Sequence, residues 1–102
     1  MNKFEKYEII KSVSIPTIEA LDVLFGSKPV LYGTLMVSNY SEIKSIENKI
    51  KSLDLVIKFQ NESEKIKDMF ENNRDKELNI NFALSKDEMK AEDFLEYESN
   101  NK

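Results

Sequence analysis

The chain has 102 residues and a formal net charge of −4, with 15 lysine and arginine side chains against 19 carboxylates. It contains neither cysteine nor histidine. This excludes disulfides and thiolate chemistry, and it leaves only a carboxylate or a desolvated lysine as a general base. No apolar run approaches the ~20 residues that a helix needs to cross a bilayer, so we expect no membrane partner.

A chain of this length is typical of one domain, and we expect a single α+β domain over residues 1–102, frayed at 1–2 and 98–102. The first eleven residues carry charge in every turn and lack the apolar centre of a secretory signal. Ten asparagines, ten isoleucines and a single arginine indicate AT-rich codons, and hence a low-GC bacterium or one of its phages or plasmids. We therefore expect a cytoplasmic protein of the producing or host bacterial cell.

Residues 6–15 predict a first strand. Apolar side chains recur there on one side at a period of two; they are Tyr7, Ile9, Val13 and Ile15. Lys11 interrupts the same side of the predicted strand.

The next stretch, 16–26, predicts a helix that begins at a proline and ends at a glycine. Pro16 fits the first helical position and Gly26 fits the position just after the last turn. Three side chains share the apolar face of this helix: Ile18, Leu21 and Phe25. Residues 27–29 then turn the chain.

Residues 30–37 are apolar on both sides of a period-two pattern, which is typical of a strand buried on both faces. A short buried helix over 29–38 would give the same pattern. The β-branched and aromatic content and the internal Gly33 favour the strand.

The clearest helix lies at 40–53. Asn39 followed by Glu42 resembles a capping box, and isoleucine and leucine recur in steps of three and four at positions 43, 46, 50 and 53. The period then changes to two over 53–60, which predicts a half-buried strand with one wet face.

Three further elements complete the chain. A helix is predicted over 61–73, and the alternating apolar residues of 77–84 predict the most regular strand. The last helix spans 85–97 and opens with the S-x-x-E box of Ser85 and Glu88.

The resulting order is β-α-β-α-β-α-β-α. Because each connection contains a helix, parallel pairing is allowed. We expect an α+β or small α/β fold with a four-stranded sheet and helices packed mainly on one face. If 29–38 were helical, the chain would instead form a helical cluster that resembles a winged helix.

The sequence offers few groups for catalysis. Gly26, Lys28 and Gly33 lie before a strand and lack the P-loop spacing, so they indicate a turn and not a phosphate site. Carboxylates at helical spacing, Glu19 with Asp22 and a group at 87–92, are ordinary on helix surfaces. We therefore expect a protein that is not an enzyme and that needs neither a cofactor nor a metal.

Basic residues indicate an alternative nucleic-acid face. Four lysines lie on the 40–53 helix or just beyond it: Lys44, Lys49, Lys51 and Lys58. Interleaved glutamates and the near absence of arginine weaken this interpretation. A small plasmid or phage DNA-binding accessory protein remains the second hypothesis.

The most unusual segment is 87–98, which carries six acids and one lysine among apolar side chains. One interpretation is an amphipathic closing helix whose outer face is acidic. The alternative is a surface that docks on a basic partner, because complementary charge speeds encounter and aromatic residues supply contact area. The candidate contact residues are Glu92, Asp93, Glu96 and Tyr97. The leading hypothesis is a non-enzymatic protein-binding module. It would act as a phage or mobile-element inhibitor that occludes part of a larger protein, one that belongs to host defence or to nucleic-acid machinery. A homodimer is also compatible with the sequence.

Overall fold

The computed structural model describes residues 2–73 and 76–100, and within them the chain has the expected α+β class. The described residues form three strands and five helices. In chain order these are α1 (Lys3–Lys11), α2 (Thr17–Leu24), β1 (Val30–Val37), α3 (Tyr40–Lys51), β2 (Val56–Phe59), α4 (Ser63–Asn72), β3 (Leu78–Ser85) and α5 (Glu88–Asn100).

The sheet has three strands in the order β1-β3-β2, and both pairings are antiparallel. The predicted fourth strand and the strictly alternating element order were therefore wrong, and the parallel pairing that the connections allow is not formed. The last strand in the sequence lies at the centre of the sheet, where Phe82 pairs with Gly33 on one side and with Phe59 on the other. β1 and β2 are the two edges.

The predicted first strand, residues 6–15, does not form, and the helix α1 overlaps this segment. The side chain of Asn2 caps the helix by accepting a hydrogen bond from the Glu5 N–H at 2.8 Å. Ile10 is fully buried although the strand pattern placed it on the outer side, while Ile9 is only half-buried. Helical packing of Ile10 against the core therefore overrides the period-two pattern.

The strand prediction for 30–37 and the helix prediction for 40–53 were confirmed. Because 30–37 is extended, the condition for the winged-helix alternative is not met. At the start of α3 the Asn39 side chain accepts from the Glu42 N–H at 3.2 Å, and the Glu42 carboxylate accepts from the Ser38 N–H at 3.1 Å. These reciprocal bonds fix the beginning of α3.

The helix predicted over 16–26 was also confirmed, but its buried face was wrong. Gly26 takes a positive φ of 86° just after the helix, a conformation that glycine adopts without strain. Ile18 and Phe25 are largely exposed, and α2 packs on the core through Ala20, Val23 and Leu24.

The sheet separates two apolar layers of unequal size. The main core contains the inward side chains of all three strands together with buried residues of α1, α2, α3 and α4. On the opposite face Ala83 packs against Ala91 and Leu95 of α5, and the ring of Tyr32 lies 5.3 Å from that of Phe94. Thus four helices cover one face, and α5 covers part of the other.

Candidate partner-binding groove

One edge of the sheet, β2, carries backbone groups that β3 does not use. The Gln60 N–H donates to the Asn81 carbonyl at 2.9 Å. Because the hydrogen-bonding direction alternates along a strand, the backbone N–H and C=O groups of Gln60 and Lys58 point toward β3. The intervening residues, Ile57 and Phe59, must therefore direct their N–H and C=O groups away from β3. β2 is an edge strand, and no other strand pairs with it among the described residues.

A groove of about 540 Å³ follows this edge, and we call it the β2 groove. Its lining includes residues 57–60 and residues from both sides of the sheet, which we call its two walls. The wall on the side of the main core comprises Ile43 and Glu47 of α3, Ile66 of α4 and Glu62 just before α4. The α5 wall comprises Glu92, Leu95, Glu96 and Ser99. Its volume lies within the range of ligand-binding pockets.

The charge in the groove is predominantly negative, with four glutamates and one lysine in its lining. Glu47 lies 3.8 Å from the ammonium of Lys44, outside the groove, and Glu92 lies 3.5 Å from that of Lys58. Glu62 and Glu96 have no ion-pair partner among the described residues. Within the described part of the chain, therefore, two carboxylates, one on each wall, lack a neutralising cation.

Lys58 holds α5 against β2. Its ammonium lies 2.6 Å from the Glu88 carboxylate and 3.5 Å from that of Glu92. The hydrogen bond to Glu88 is the main cause that raises the pKa of Lys58 above 10.5; partial burial acts in the opposite direction, and the negative charges of Glu88 and Glu92 add to the increase.

This ion pair gives a pH prediction. Because the pKa of Lys58 is raised in the folded state, its stabilisation is complete below pH 10.5 and is lost as pH rises through the folded-state pKa. We expect Glu88→Gln to lower the free energy of unfolding by ~0–1 kcal/mol at neutral pH, since the pair is partly exposed. The difference from wild type, measured in urea titrations, should shrink as pH rises through the folded-state pKa of Lys58.

The control for that prediction is Glu64→Gln, which removes an exposed carboxylate with no described ion-pair partner. Its difference from wild type should not change over the same alkaline range. If the Glu88→Gln difference is equally independent of pH, Lys58 does not derive stability from this pair.

Gln60 has one polar atom with no partner. Its Nε2 donates to the Leu95 carbonyl at 3.5 Å and to the Ser99 hydroxyl, which places the side chain toward α5. The opposite atom, Oε1, is buried and accepts no hydrogen bond. A buried acceptor without a partner is unfavourable for the folded state.

The structure divides the four predicted contact residues between two regions. Glu92 and Glu96 line the groove, whereas Asp93 and Tyr97 are exposed and are not part of its lining. Sequence reasoning did not identify Glu47, Glu62 or Gln60 as site residues. Nothing local distinguishes them, since Glu47 matches an ordinary helix-surface pair and the other two lie in a connection between elements.

The four lysines of the alternative face lie on two sides of the sheet. Lys44, Lys49 and Lys51 belong to α3, on the side of the main core. Lys58 points to the opposite side of the sheet, where it pairs with two carboxylates of α5. The sheet thus separates Lys58 from the other three.

The remaining candidates from the sequence form no site in the described part of the chain. Lys28 lies 3.9 Å from the Glu19 carboxylate, and with Gly26 it belongs to the turn after α2, as predicted. Across residues 2–73 and 76–100 no three carboxylates are grouped closely enough to hold a metal ion. None of the helices in these ranges combines the length and apolarity needed to traverse a bilayer.

Comparison with known proteins gives no relative from which a role could be transferred: no protein-family model, no curated protein and no solved structure matches the chain.

Proposed function

We propose that this chain is a non-enzymatic protein-binding module whose β2 groove receives a basic part of a larger protein. The observation that carries the proposal is the set of four glutamates around an unpaired strand edge. Carboxylates on two facing walls attract a cationic group and fix its position, which favours rapid and selective association. Surface occlusion of the partner needs no catalytic group.

The composition supports a more specific role. The small size, acidity and AT-rich character of the sequence fit a phage or mobile-element inhibitor that acts in the bacterial cytoplasm. Host-defence or nucleic-acid machinery is the class of target we propose, because proteins that contact nucleic acids present basic surfaces. An acidic groove would compete with nucleic acid for such a basic surface.

The chain offers a matched pair of substitutions to test the groove. Glu96→Lys and Asp93→Lys make the same charge change at exposed positions of the same helix, and only Glu96 lines the groove. Wild type and both variants are immobilised and exposed to lysate of a low-GC bacterium, with and without nuclease treatment. A protein retained by wild type is then purified, and its affinity is measured at several salt concentrations.

We expect Glu96→Lys to weaken binding about tenfold or more, or ~1.4 kcal/mol, mainly through a slower association rate. Asp93→Lys should have a much smaller effect, and the difference should decrease at high salt as the charges are screened. Equal effects of the two substitutions would contradict the groove as the contact. Retention that nuclease abolishes would instead favour the DNA-binding hypothesis.

A further inference from the structure

We infer that the occupant of the β2 groove is an extended peptide segment with two adjacent lysine or arginine residues, which pairs with β2 as a fourth strand. The inference rests on the proposed function and adds the conformation and the sequence pattern of the partner. It starts from the backbone of Ile57 and Phe59, which line the groove and whose N–H and C=O groups face away from β3. An incoming strand satisfies such groups through main-chain hydrogen bonds.

The two walls explain why the basic residues should be adjacent. Successive side chains of a strand point to opposite faces of the sheet, so an added strand directs one residue to the core-side wall and the next to the α5 wall. Glu47 and Glu62 lie on the first wall, and Glu92 and Glu96 lie on the second. Each wall can therefore pair with one of two consecutive cations.

The other edge of the sheet does not fit a basic segment. β1, Val30–Val37, contains no charged residue, and the acidic groove lies at β2. A second copy of this chain is also a poor occupant of the groove, because each copy carries a net charge of −4 and the β1 edge offers no cation. We therefore assign the groove to a segment of a different, basic protein.

The experiment uses the full chain labelled with ¹⁵N and a blocked peptide in which two adjacent lysines are flanked by valines. Backbone amide exchange is followed by NMR with and without the peptide at low salt. We expect exchange at the Ile57 and Phe59 amides to slow about tenfold or more at saturation. The Lys58 and Gln60 amides should change little, because they already face β3.

Two controls separate strand addition from simple charge attraction. The same peptide with all backbone amides N-methylated keeps both ammonium groups and loses its main-chain donors, and we expect it to bind about tenfold more weakly or worse. In the protein, Glu96→Lys should weaken binding of the unmethylated peptide, whereas Asp93→Lys should have little effect.

The outcomes distinguish this inference from the proposed function. Equal binding of the two peptides without protection at Ile57 and Phe59 overturns strand addition, while dependence on Glu96 still supports an acidic groove. Peptide binding that is unaffected by Glu96→Lys overturns the groove as the contact for cations. Absence of peptide binding at low salt overturns the inference alone, because the partner isolated from lysate tests the proposed function separately.

Discussion

We expect Phe82→Ala to lower the free energy of unfolding by ~3–5 kcal/mol, the cost of leaving a large cavity in a well-packed core. Phe82 is fully buried in the central strand and pairs with residues of both edge strands. Domains of this size have a total stability of roughly 5–15 kcal/mol, so the variant should unfold at a much lower urea concentration. Urea titration followed by circular dichroism measures the change.

The control is Met36→Ala, which truncates a side chain of β1 that is 59% exposed on the opposite face of the sheet. It should change stability by no more than ~0.5 kcal/mol.

The observed register agrees with the assignment of Phe82 to the core, since Asn79 is exposed and Asn81 accepts from the Thr34 hydroxyl at 2.8 Å. A loss at Phe82 as small as that at Met36 would contradict this packing.

Gly33→Val should destabilise the protein by ~1–3 kcal/mol through overpacking. A Cβ atom at Gly33 would lie 3.1 Å from two carbon atoms of the Phe82 ring, closer than ordinary van der Waals contact. Phe82 is fully buried, so its ring cannot move away without displacing the core. The cost comes from lack of space and not from the backbone, because Gly33 does not have a positive φ.

A double-mutant cycle with Phe82→Leu checks this cause. Leucine removes the ring atoms nearest to Gly33, so Gly33→Val should cost about 1 kcal/mol less in the Phe82→Leu background. The same cost in both backgrounds would show that the ring is not the obstacle. Unfolding in urea, with the slope of the transition compared among all four proteins, provides the measurement.

Elements with strong local signals were predictable from the sequence. The Asn39 and Glu42 pair and the spacing of isoleucines predicted α3, and regular alternation predicted β3. These patterns are local. A helix cap and a buried helix face depend on residues three or four positions apart, and strand alternation depends on residues two positions apart.

The N-terminal segment shows where such signals fail. Tyr7, Ile9, Val13 and Ile15 match a strand, but only Val13 and Ile15, which follow α1, are buried as the pattern requires. Ile10 is the single fully buried residue of α1. The apolar residues of this segment therefore show little helical periodicity, and the period of two is the stronger pattern. Tertiary packing decided the structure of this segment.

Strand pairing and the groove could not be read from the sequence because both depend on distant segments. A helix between consecutive strands permits parallel pairing, yet here β3 enters between β1 and β2 and is antiparallel to both. The groove combines glutamates from α3, α5 and the residue before α4. Of these glutamates, the sequence predicted only Glu92 and Glu96 as contact residues, because they belong to a locally acidic segment.

The central position of β3 has a consequence for synthesis of the protein on the ribosome. Neither β1 nor β2 has a strand partner until residues 78–85 have been made, so the nascent chain holds two unpaired strands from the completion of β2 until β3 is made. Contacts between distant segments slow folding, and exposed apolar strands in an incomplete chain promote aggregation. We expect the sheet to form as a cooperative step once residues 78–85 have left the ribosomal tunnel.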